Sequence, residues 1–109
     1  MKKESTPVFY THNDKNDIVV YGTCLQGAIE TSYANLKKIL GKPHNGDEYK
    51  VDAEWDIEFE DGTVATIYNW KNGKNYKGKY GLSKTKITDW HIGGYDSKVL
   101  DKVKELLNL

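Results

Sequence analysis

From Val51 to Glu60 the chain alternates without interruption. Val51, Ala53, Trp55, Ile57 and Phe59 are apolar, and Asp52, Glu54, Asp56, Glu58 and Glu60 are acidic. A period of two sends the two sets to opposite faces of a β-strand. One face must therefore enter a core, while the other presents five carboxylates in a row. Asp61 and Gly62 then close a hairpin onto a return strand from Thr63 to Trp70. A two-residue turn would pair Trp55 with Tyr68 and send Tyr68 and Trp70 to the apolar face. A three-residue turn over Glu60, Asp61 and Gly62 with a glycine bulge pairs Ile57 with Ala65 and Trp55 with Ile67. Tyr68 and Trp70 then join the carboxylates. The second register is preferred, because it buries the aliphatics of the return strand.

Elsewhere the pattern changes period. Thr23 and Gln26 have capping-box spacing, and Leu25, Ala28, Ile29, Tyr33, Leu36, Ile39 and Leu40 recur at helical intervals. These predict a helix from about Cys24 to Leu40, ended by Gly41 and Pro43. Val99, Leu100, Val103, Leu106 and Leu107 predict a last helix. Asp96 is its N-cap, and Tyr95 is placed to staple on Leu100. Ile87 to Ile92 reads as a strand broken by Gly93 and Gly94. Pro7–Tyr10 and Ile18–Tyr21 read as a short hairpin. Asn72 to Gly81, rich in Gly, Lys and Tyr, is expected to be a long loop or a hairpin tip. The order is approximately β-β-α-β-β-β-α. This is a single α+β domain over residues 1–109, with an antiparallel β-sheet packed by two helices.

Charge sharpens this outline. The 109 residues carry sixteen cationic and sixteen acidic side chains, so the net charge is zero. The charges are nevertheless sorted. Asp47 to Asp61 holds eight acids and one Lys, and Lys71 to Lys86 holds six Lys and no acid. Every cation is Lys, so no guanidinium fork is present to read guanine or clamp phosphate, which argues against sequence-specific DNA binding. Cys24 stands alone, which excludes an intrachain disulfide and a cysteine metal site. A homodimer through an intermolecular Cys24 disulfide is a minor alternative. No apolar run approaches membrane-spanning length, so no membrane partner is expected, and the expected setting is intracellular and reducing.

Candidate chemistry is sparse. Cys24 at a helix start would have a favourable dipole, but no thiol-enzyme signature surrounds it. His12 and His44 look like loop residues and His91 like a structural one, so no His is placed to complete a metal shell with the carboxylates. Glu54, Asp56 and Glu58 repeat at roughly 7 Å along one strand face. That spacing resembles paired-carboxylate chemistry, but on an open sheet a docking or solvated face is favoured. Gly93 and Gly94 are a weak phosphate-cradle signal beside the bland reading of a tight turn. No catalytic residue, metal or cofactor is therefore assigned. The Lys-rich segment interleaves Lys71, Lys74, Lys77 and Lys79 with Trp70, Tyr76 and Tyr80. Such aromatic platforms with cations suit a nucleotide, single-stranded nucleic acid or a protein partner.

Several segments together resemble a family of small bacteriophage and prophage proteins. They are Gly22 to Gly27, Tyr33 to Pro43, Asp52 to Trp55, Phe59 to Lys71 and Trp90 to Gly94. The resemblance spans roughly residues 20 to 94. It implies a phage context and the host cytoplasm. By association with other small phage proteins, it implies a non-enzymatic inhibitor of a host defence protein, such as an anti-CRISPR protein acting on a Cas effector. Under that reading the Glu54, Asp56 and Glu58 row would imitate a phosphate backbone, and Tyr68 and Trp70, standing among the carboxylates, would complete an acidic-aromatic docking surface. The alternative is a nucleotide-signal sponge or single-strand binder that uses the Lys/Tyr loop.

Overall fold

The computed structural model describes residues 9–11, 23–44 and 50–109. Five antiparallel strands form one sheet in the order β1-β3-β4-β5-β2. They are β1 (Phe9–Thr11), β2 (Cys24–Glu30), β3 (Glu54–Phe59), β4 (Val64–Tyr68) and β5 (Asp89–Gly94). Three helices accompany them: α1 (Tyr33–Leu40), the single turn α2 (Lys74–Lys77) and α3 (Lys98–Leu107). The expected α+β architecture is present, with α1 and α3 packed on the sheet. Of the expected amino-terminal hairpin, Phe9 and Tyr10 lie in β1. Pro7 and the Ile18–Tyr21 strand lie outside the described residues.

The alternating segment behaves as its pattern dictates. Val51, Ala53, Trp55, Ile57 and Phe59 are all buried. Ile57 pairs with Ala65 and Trp55 with Ile67, the register of the three-residue turn. The turn closes through Phe59 N–H donating to Thr63 O (2.7 Å) and Gly62 N–H donating to Phe59 O (2.9 Å). Gly62 takes φ 90°, a left-handed conformation open to glycine at little cost.

The segment from Cys24 to Leu40 departs from expectation. Its first part is the edge strand β2, and only Tyr33–Leu40 is helical. Gln26 does not close a capping box. Its Nε2 donates instead to Gly94 O at 3.1 Å, across a bulge between Leu25 and Gly27. Gly27 explains much of the outcome. A mid-helix glycine costs about 1 kcal/mol relative to alanine. In the strand, its bare Cα admits Leu100 of α3, whose Cδ2 would lie 2.8 Å from an added Cβ. The working N-cap is Ser32, whose Oγ accepts from Asn35 N–H at 3.0 Å.

Gly93 and Gly94 also depart from expectation, because they continue β5. A Cβ on Gly93 would meet Thr66 Oγ1 at 2.5 Å, and one on Gly94 would meet Val99 Cγ1 at 2.6 Å. Both faces of the strand are approached too closely for a side chain. Asp96 caps α3 as anticipated in kind, its Oδ1 accepting from Lys98 N–H at 2.8 Å, although the helix boundary places Ser97 at the cap position.

Between sheet and helices, Trp55 and Trp90 meet edge to face, with centroids 5.5 Å apart. Their indole N–H groups donate to the two ends of α1. Trp90 Nε1 reaches Thr31 O (3.0 Å) and Trp55 Nε1 reaches Gly41 O (2.7 Å). Buried indole donors need partners, and here those partners fix where α1 lies on the sheet.

Candidate functional site

The site is built on the sheet face opposite the helices. The register sets three rows across it: Glu54, Tyr68 and His91; Asp56, Thr66 and Gly93; and Glu58 with Val64. Tyr68 meets Trp70 edge to face at 6.2 Å and His91 at 5.7 Å. Glu54, Thr66, Tyr68, Trp70, Cys24 and Gly93 are among the residues that line a shallow concavity of about 220 Å³. The missing side chain at Gly93 lets the Thr66 hydroxyl lie against that strand. Burial, and then the negative charge of Glu54, push the Tyr68 hydroxyl above its ordinary pKa, so it remains a neutral donor. Trp70 is 39% exposed. Tyr68 and Trp70 thus stand among the carboxylates, as the preferred register implied.

The carboxylates themselves do not form the expected free row. Asp52 turns to the loop after β4, where its Oδ1 accepts from Asn69 Nδ2 (2.9 Å) and its Oδ2 from Asn75 N–H (3.2 Å). Asp56 is only 5% exposed, and His44 Nε2 lies 2.7 Å from its Oδ2. Glu54 Oε2 lies 3.6 Å from the same ring nitrogen. Glu58 is half-buried, and only Glu60 is fully in solvent. Two reciprocal backbone hydrogen bonds, both 2.9 Å, bind His44 to Glu54 as an isolated bridge beside β3. The expectation that His44 is a loop residue and that no histidine is placed to complete a metal shell with the carboxylates is therefore corrected. His44, Glu54 and Asp56 each place a potential ligand atom within 4.8 Å of the others. The signal was hidden because the contact depends on a backbone bridge between residues ten apart in sequence, not on motif spacing.

The Lys/Tyr segment is more ordered than a loop. It forms α2 and a 3-10 turn from Gly78 to Tyr80, and its ends meet through a parallel bridge between Gly73 and Leu82. The Lys71 ammonium lies 5.7 Å from the Trp70 ring and 5.3 Å from Tyr76, and Lys50 lies 5.4 Å from Trp70. Lys79 stands 5.3 Å from the ring of Tyr80, which is 80% exposed. Lys74 and Lys77 are exposed on α2.

Asn69 holds this segment and was missed. It is fully buried, and its Oδ1 accepts from the backbone N–H of Asp52 (2.7 Å) and Ala53 (3.1 Å). Its Nδ2 donates to Asp52 Oδ1 and to Asn72 Oδ1 (3.0 Å). A signal was present: Asn69 continues the buried parity of Ala65 and Ile67, and a polar residue at a core position needs partners.

Cys24 is exposed and opens β2, so it lacks the helix start on which a reactive-thiol reading depended. Among the described residues, no helix is long and apolar enough to cross a membrane. Compared with known proteins, the chain matches no protein-family model and no curated protein.

Proposed function

We propose that this chain is a non-enzymatic binding protein that docks through its acidic-aromatic sheet face on a basic surface of a protein partner. In its finer form the proposal is a small phage-encoded inhibitor that blocks a host defence protein, with a Cas effector as the first target class. One observation carries it: the β3–β4 register sets Tyr68 and Trp70 beside Glu54 around a single concavity. A partner Arg or Lys would enter there, its charge against Glu54 and its stem against the rings. Aromatic anchors beside complementary charge are the usual basis of strong local binding.

The concavity supports docking better than it supports a comb of phosphate mimics. Asp56 is buried against His44, which interrupts the row, and Glu54 and Glu58 on either side of it stand about 13 Å apart along the strand. In a DNA-cleavage assay with purified Cas effectors, the wild-type protein should slow cleavage, and Glu54→Gln with Trp70→Ala should raise the half-inhibitory concentration at least tenfold. Full inhibition by that double variant would overturn the docking face. No inhibition across effector types would overturn the target class.

A second reading has its own observation. Tyr80 stands out of the Lys-bearing segment formed by Lys71, Lys74, Lys77 and Lys79, with most of its ring in solvent. With Tyr76 it would stack the bases of a nucleotide or single strand. Fluorescence anisotropy with oligothymidylate should then show salt-sensitive binding that falls in Tyr76→Ala and Tyr80→Ala. Flat titrations with oligonucleotides and cyclic nucleotides would remove this reading.

A further inference from the structure

We propose that His44, Glu54 and Asp56 form a binding site for a divalent first-row transition ion, Zn²⁺ being the natural occupant. The inference stands apart from the docking reading.

The donor set is one imidazole nitrogen and two carboxylate oxygens. Imidazole with carboxylate suits Zn²⁺ and its neighbours, whereas Ca²⁺ and Mg²⁺ favour all-oxygen shells. With neutral histidine, the two carboxylates balance the charge of the ion. All three donors are held by backbone pairing. Glu54 and Asp56 are two residues apart on one face of β3, and both pair with β4, opposite Tyr68 and Thr66. His44 is tied to Glu54 by the two 2.9 Å backbone hydrogen bonds.

A second observation is independent of the cluster's composition. Asp56 is buried, and its Oδ1 has no hydrogen-bond partner among the described residues. A buried unsatisfied polar oxygen is destabilising, and more so when charged. A hydrogen bond from His44 to Oδ2 leaves this cost in place. A cation reached by the carboxylate offsets it, because the ion interacts with the whole negative group.

The distances fit with a small adjustment. Donors around a tetrahedral Zn²⁺ with bonds of about 2.0–2.1 Å lie roughly 3.3 Å apart. The His44–Glu54 separation is 3.6 Å and the His44–Asp56 separation 2.7 Å. The short one is a hydrogen-bond distance, with a proton between the atoms. An incoming ion takes the Nε2 lone pair: a neutral ring carries its proton on Nδ1 instead, an imidazolium releases the Nε2 proton to solvent, and either way the pair opens by about 0.6 Å. Three protein donors leave a fourth position for water or a partner group, the arrangement of open rather than purely structural sites. Glu54 also lines the concavity, so this fourth position lies at its border.

The test is calorimetric titration of the chelator-treated protein, residues 1–109, with Zn²⁺, together with the visible spectrum on adding Co²⁺. Saturable 1:1 binding with micromolar or tighter affinity, and the intense bands of low-coordinate Co²⁺, are expected. His44→Gln and Asp56→Asn should each weaken binding at least a hundredfold. Glu54→Gln should weaken it at least tenfold while leaving the His44–Asp56 pair intact, so it decides the matter should either other variant fail to fold. Absence of saturable heat and of Co²⁺ bands, or equal binding by Glu54→Gln, would overturn the site and leave an ordinary His–Asp ion pair.

Discussion

The two faces of β3 and its approach began as equally regular patterns and ended very differently. The five apolar side chains share one fate, each no more than 4% exposed. The five carboxylates have four. Asp52 anchors a loop, Glu54 and Asp56 meet His44, Glu58 is half-buried, and Glu60 is in solvent. The difference is physical. Hydrophobic burial is non-directional and scales with area, so alternation alone decides where an apolar side chain goes. A carboxylate goes where its donors are, and those donors come from distant parts of the chain.

The sharpest test of the uniform face is Trp55→Ala. It removes the largest buried side chain of the row and the hydrogen bond to Gly41 O. A loss of about 3–5 kcal/mol is expected in urea unfolding, a large share of the stability of a domain this size. A loss under about 1 kcal/mol would mean that this face is not the core. Among the acids and their partners, the largest effect belongs to a partner rather than an acid. Asn69→Ala leaves the N–H groups of Asp52 and Ala53 without their acceptor, and about 2–3 kcal/mol should be lost. Asp52→Asn keeps one acceptor oxygen and turns the other into an amide donor, so one of Asn69 and Asn75 loses its acceptor. It should still cost less than Asn69→Ala, which strips the acceptor from two backbone N–H groups; the reverse order would show that the Asp52 carboxylate, not Asn69, holds the loop. Glu60→Gln, at the exposed end, should change stability by no more than about 0.5 kcal/mol.

The same contrast explains what could be read from the chain. The β3–β4 register was legible because Asp61 and Gly62 fix the turn and the apolar positions fix the faces. Val99, Val103, Leu106 and Leu107 were legible as one buried stripe for the same reason. Cys24 to Glu30 was not, because Leu25, Ala28 and Ile29 satisfy a helical period as well as an edge strand of which only Ile29 is deeply buried. There the decision fell to Gly27 against Leu100 and to Gln26 against Gly94, contacts made more than sixty residues away. Within the site, Tyr68 and Trp70 beside Glu54 followed from the register. His44 beside Asp56 did not, since nothing local distinguishes a polar loop histidine from one that returns to the sheet.

Asp61 is the acid that sharpens this distinction most finely, because its first partner is local. The Thr63 hydroxyl, then the Lys102 ammonium, then the Thr63 backbone N–H bond its carboxylate and hold it well below the usual carboxylate range. The Thr63 N–H lies 3.0 Å from Oδ1, and Lys102 Nζ lies 2.9 Å from Oδ2. A depressed folded-state pKa favours the ionised form. Its contribution to stability is therefore present above the unfolded value of about 3.9 and is lost as pH falls through the lower folded value. The carboxyl is exposed, so that contribution is small and screened by salt. The test is a carboxyl-carbon NMR titration of Asp61 below pH 5. Thr63→Val and Lys102→Met should each raise its midpoint, because each removes a side-chain hydrogen bond to the carboxylate. An Asp61 that titrates in the ordinary range in the wild-type protein would show that the turn does not hold its carboxylate. It would then belong with Glu60, and local spacing would be no better a guide to a carboxylate's partner here than it was for Asp56.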